Sequence, residues 1–110
     1  MYQRTRHFAD FHIAGLTYGD GIELIQELKP GTKLDLKSEP DNPYDPNAVA
    51  IYYANKRLGY IPAAANSEIS QLLYFGHNIF DTTIIQLTPD QHPSHQIRVV
   101  VRLKDDREAG

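Results

Sequence analysis

A chain of 110 residues, 41% hydrophobic and 23% charged, has material for one modest core and not for two. It holds no cysteine, which excludes disulfide scaffolds, thiol nucleophiles and thiolate zinc sites. The net charge of −3 argues against a broad phosphate-gripping surface, so any binding of nucleic acid must be local or rest on groups other than Lys and Arg. No apolar run approaches the roughly 18 residues of a membrane span. Met1 to His12 is polar and aromatic, without the apolar centre of a signal peptide. The expectation is a soluble, cytoplasmic protein with no membrane partner.

In chain order, Arg6 to Ala14 reads as a first strand, with Phe8, Phe11 and Ile13 set among polar residues. The Phe8–Phe11 spacing breaks strict alternation and marks a bulge. Gly15 to Gly21 is a glycine-punctuated loop carrying Tyr18. Asp20 caps a short helix from Gly21 to Leu28, whose stripe is Ile22, Leu24, Ile25 and Leu28. After a Pro30-Gly31 turn, Lys33 to Ser38 alternates as a half-buried strand. Three prolines between Pro40 and Pro46 then impose a rigid, locally ordered loop. Ala48 to Tyr53 and Arg57 to Ile61 form a hairpin about an Asn55-Lys56 turn. Pro62 opens a second helix over Ala64 to Phe75, buried through Ile69, Leu72 and Leu73, with Gly76 at its C′ position. Two further strands, Phe80 to Leu87 and Ile97 to Leu103, flank a polar loop from Pro89 to His95.

Six strands and two short helices predict a mostly β fold. So many short strands favour a closed or nearly closed barrel, because closure removes exposed edges. The chain reads as one domain over residues 1–110, frayed at about 1–5 and 105–110.

Catalytic and metal chemistry find little footing. Asp41 and Asp45 are the one carboxylate pair that invites an acid–base or magnesium reading. No nucleophile–base set and no phosphate-cradling glycine motif accompanies them, so the expectation is a binding module, not an enzyme, with no cofactor. His92 and His95 form an H-x-x-H pair without a third ligand nearby, too few for a metal site. His7 and His12 lie at an odd strand spacing, which places them on opposite faces. By the same rule, one of Tyr52 and Tyr53 is core and the other exposed.

Four stretches carry a resemblance: Phe11 to Tyr18 (F-H-I-A-G-L-T-Y), Glu39 to Val49 (E-P-D-N-P-Y-D-P-N-A-V), Leu58 to Pro62 (L-G-Y-I-P) and Leu72 to Gly76 (L-L-Y-F-G). Their order and spacing resemble the HIRAN domain, found on helicase-like DNA-repair proteins and as free-standing bacterial proteins. The resemblance implies a six-stranded OB-like barrel with two helices. It also implies a reader of single-stranded DNA that captures the free 3′ end, stacking bases on aromatics and holding the terminal hydroxyl with a carboxylate. Position by position, Tyr18 matches a stacking tyrosine, and Asn42, Tyr44 and Asp45 match the loop that encloses the terminal nucleotide. Asp45 would accept the hydroxyl proton, and Tyr60 stands where a relative has histidine. The implied partner is a single-stranded DNA end, with a separately encoded helicase, nuclease or other protein as companion.

Two positions depart from the pattern. Thr17 and Ala63 stand where a relative carries arginine and lysine, and Asp20, Glu39, Asp41 and Asp45 crowd the same mouth with negative charge. Phosphate there requires Lys37, Lys56, Arg57, Arg98 or Arg102 close by. A second reading therefore stands beside the first, a protein-interaction module that keeps the barrel and not the DNA contacts. Tyr44 and Asp45 also have a plain structural reading, since Asp commonly bonds its own backbone in such turns. With the resemblance, Asn47 and the prolines are expected to fix the loop while Tyr44 and Asp45 face outward.

Overall fold

Alternating apolar residues too short in span for helices set six strands, and a computed structural model shows how they assemble; it describes residues 4–16 and 24–105. They are β1 (Arg4–His12), β2 (Lys33–Ser38), β3 (Val49–Tyr53), β4 (Lys56–Tyr60), β5 (Phe80–Leu87) and β6 (Ile97–Asp105). One helix, α1 (Ser67–Tyr74), and 3-10 turns at Ile25–Glu27, Ala63–Ala65 and Pro93–His95 complete the described elements. The fold is thus mostly β, as the strand pattern predicts.

All strand pairs are antiparallel, in the order β1-β6-β5-β2-β3-β4. The two end strands meet where the chain leaves β1. The Ile13 amide still donates to Ile97 on β6 (2.9 Å), and one residue later Ala14 exchanges two backbone bonds with Tyr60 on β4 (2.8 Å each). A single bridge, not a full ladder, thus joins the ends, leaving the OB-like barrel incompletely closed. Gly59 is what permits it, because a Cβ there would overlap the Ala14 carbonyl oxygen and the Ile13 side chain at under 3.0 Å.

Inside, Ile13, Ile51, Leu58, Ile69, Ile84 and Ile97 are fully buried. Each such side chain contributes roughly 1.5–3 kcal/mol over its exposed state. On β2, Leu34 and Leu36 point inward between exposed Lys33, Asp35 and Lys37. On β6, Ile97, Val99 and Val101 point inward and Arg98 and Arg102 outward.

Several expectations are met and others corrected. Phe8 is the extra residue in the β1–β6 register, the bulge its spacing signalled, and it packs on Phe80 with ring centroids 5.8 Å apart. That bulge reverses the parity assumed for the histidines. His7, Asp10 and His12 pair opposite Arg102, Val100 and Arg98 and so share one face. The hairpin turn lies one residue earlier than expected, at Ala54-Asn55, both with positive φ (50° and 68°). This is the two-residue turn whose twist matches its strands, and Lys56 already pairs with Tyr53. Tyr52 and Tyr53 are both half-buried instead of one in and one out.

α1 is shorter than the Ala64–Phe75 expected. Its start is displaced by the Ala63–Ala65 turn after Pro62. Its end is as expected: Gly76, at φ 86°, donates to Leu73, and His77 donates to Leu72 (3.0 and 2.8 Å), a Schellman cap. Of the predicted Gly21–Leu28 helix, the described part is the Ile25–Glu27 turn with Leu24 and Leu28 buried; Asp20, its proposed cap, lies outside the described residues. Among the described residues no helix is long and apolar enough to cross a membrane.

Candidate nucleic-acid interface

Between β2 and β3 the chain must reverse with three prolines in its path, and side chains supply the bonds those prolines deny the backbone. Asn42 Oδ1 accepts from the Tyr44 and Asp45 amides (2.8 and 3.1 Å), and Asn42 Nδ2 donates to Glu39 Oε1 (3.1 Å). Asp45 Oδ1 accepts from the Asn47 amide (2.8 Å). Asp45 Oδ2 accepts from Asn66 Nδ2 (2.9 Å), which reaches it from the residue preceding α1. Asp45 is therefore turned into its loop and half-buried, not directed outward as the sequence suggests. Tyr44 is the reverse case, 94% exposed on a loop that Asn42 and Asp45 hold in place.

Across from this loop, Tyr60 donates its hydroxyl to Glu39 Oε1 (2.9 Å) and accepts from an Arg57 guanidinium nitrogen (3.2 Å). The guanidinium also lies 5.3 Å from the Tyr60 ring centre. The three-residue spacing places both on one side of β4 because Leu58 is an extra residue in the β3–β4 register. Burial first, and then the Glu39 carboxylate at its hydroxyl, hold the Tyr60 phenol above its ordinary range, so it stays protonated and donates.

These groups line an open groove of about 1130 Å³ running from Ala14 and Gly15 at the barrel closure to Asn66. Asn42, Tyr44, Asp45 and Tyr60 all border it, as does Ala63. Tyr18 and Thr17 lie outside the described residues. Of the five basic residues considered, Arg57 lines the groove. Lys37 sits over the Tyr52 ring at 4.6 Å, and Arg98 is paired with Asp10. Among the described residues, Glu39, Asp41 and Asp45 are the carboxylates at the mouth.

Sequence reasoning missed Asn66. A polar residue just before an apolar helical stripe reads as an N-cap, yet its side chain makes no cap bond, and the residue is only 3% exposed. Its partner is twenty-one residues away, which no local pattern reveals. Outside the groove lining, His7 bonds Asp10 (2.7 Å) and His12 stacks edge-on to His95 at 5.0 Å. The Ser94 hydroxyl lies 2.9 Å from Nδ1 of both His92 and His95. Among the described residues no group of three or more metal-ligating side chains converges.

A half-closed six-stranded barrel with an aromatic and carboxylate groove beside its closure defines a small β binding fold. The HIRAN domain model matches residues 7–104, and the chain belongs to the HIRAN domain family. The fold is similar to a crystal structure of a protein from Lactobacillus plantarum, with 19% identity over 94% of this chain and 99% of that one and a TM-score of 0.79. It is also similar to the HIRAN domain of human HLTF, with 16% identity over 94% of this chain and 82% of that one and a TM-score of 0.71. No curated protein matches the chain.

Proposed function

We propose that the groove binds single-stranded nucleic acid and selects the free 3′ end of single-stranded DNA. The observation that carries this reading is Tyr44, a ring almost wholly in solvent on a loop held rigid around it. Such a ring contributes nothing to the core and is pre-organised to stack, with each base–aromatic contact worth about 1–3 kcal/mol. Tyr18 adds a second ring by the family resemblance. Arg57 is the one cation among the described lining residues and takes the phosphate role that Thr17 and Ala63 have given up. Each Asp45 oxygen accepts one bond within the protein and retains a lone pair for the terminal hydroxyl. Asn42 organises the loop and keeps one amide hydrogen for a base.

The test is fluorescence anisotropy at low salt with oligonucleotides ending in a 3′-hydroxyl, ending in a 3′-phosphate, or circular. Binding of the first alone is expected, because a terminal phosphate would face the Asp45 carboxylate. Equal binding of all three would refute end selection.

The three carboxylates at the mouth against one described cation favour a second reading, an adaptor for a basic protein segment. Asp41→Asn separates the two. It should weaken a basic peptide and strengthen an oligonucleotide, since Asp41 is exposed and holds no loop bond among those described.

A further inference from the structure

The last turn of α1 carries two large aromatics that the core does not use. Tyr74 is 62% and Phe75 70% exposed, while Ile69, Leu72 and Leu73 make the contacts with the barrel. Their rings meet edge-on, with centroids 5.1 Å apart. The Schellman cap through Gly76 and His77 fixes the backbone that presents them. They flank a depression of about 280 Å³ walled by Pro40 and Pro46. Among the described residues no charged side chain lines it, and its polar groups are neutral, such as Ser38 and Asn47.

This depression adjoins the groove. Ser38 and Pro40 line both, so the rigid loop forms a ridge with Tyr44 on one side and the Tyr74–Phe75 pair on the other. We propose that the Tyr74–Phe75 face is a second stacking platform, which takes the bases that follow when a strand whose end lies in the groove crosses the ridge at Pro40. The inference rests on the end-binding reading of the groove and extends it to the rest of the strand.

Electrostatics supports this route. A polyanion leaving a mouth that holds Glu39, Asp41 and Asp45 meets less repulsion over a depression whose described lining holds no carboxylate. Neutral amide and hydroxyl groups beside two ring systems suit base edges and base faces together. OB-like folds engage about 4–16 nucleotides, more than a terminal pocket alone encloses.

The experiment compares 3′-hydroxyl single strands of about two and about eight nucleotides, the range an OB-like site spans, on the wild type and on Tyr74→Ala/Phe75→Ala. Both rings are exposed, so the variant should fold, and its melting curve checks this. The wild type should bind the longer strand about tenfold or more tightly than the shorter one. The variant should bind the short strand as the wild type does and lose that gain. A variant that keeps the full gain overturns the platform while leaving the groove reading intact. Wild-type protein that binds neither length overturns both.

Discussion

The barrel is closed by one bridge, and Gly59→Ala tests how much depends on it. A methyl at this position meets the Ala14 carbonyl oxygen, which accepts from Tyr60, and the Ile13 side chain, which is 1% exposed. Neither can yield cheaply, the first being backbone and the second fully packed. Overpacking of this kind costs about 1–3 kcal/mol. Losing the two bridge bonds adds about 0.5–1.5 kcal/mol each. The sum is about 2–6 kcal/mol, against a total stability of about 5–15 kcal/mol for a domain. At about 4–8 °C per kcal/mol for a domain of this size, the melting temperature should fall by at least about 8 °C. Calorimetry or urea unfolding measures it. Because Ala14, Gly15 and Tyr60 also line the groove, affinity for a 3′-hydroxyl oligonucleotide should fall in the protein that remains folded. A variant melting within about 2 °C of the wild type would show that the bridge does not hold the ends together.

Other consequences follow from the same geometry. Asn66→Ala removes the donor to Asp45 and should cost about 1.5–3 kcal/mol, the range for a bond to a charged group, read by urea unfolding. Gly76→Ala isolates backbone strain, since the added methyl meets nothing within 4 Å beyond its chain neighbours; it should cost about 1–2 kcal/mol through the positive φ alone, seen in thermal melts. His12 is held below its ordinary value of 6.5, first by burial and then by Arg98 and His95. The folded state therefore binds its proton less readily than the unfolded chain, and stability present above pH 6.5 should be lost as pH falls below it. In urea titrations at several pH values, His12→Asn should flatten that slope.

Much of this protein is legible in its local chemistry. The strand β2 follows from alternation, the Phe8 bulge from a break in it, and Gly76 from the need for a left-handed residue after a helix. The order of the loop from Glu39 to Asn47 follows from its prolines and Asn42, whose bonds span at most three residues. Misjudged features depend on register between strands. One bulge brought His7 and His12 to a common face, and another placed Arg57 beside Tyr60, because a single extra residue reverses every side chain beyond it.

The sequence by itself determined a small mostly β domain, its rigid proline loop and the family motif that marks the groove. Only the tertiary structure decided that Asp45 turns inward to Asn66, that Arg57 is the basic side chain among the described groove residues, and that Gly59 admits the closing bridge. Local preferences act over a few residues, so composition and spacing record them. The contacts that shape this site join segments about twenty to forty-five residues apart, and only packing of the whole barrel brings those segments together.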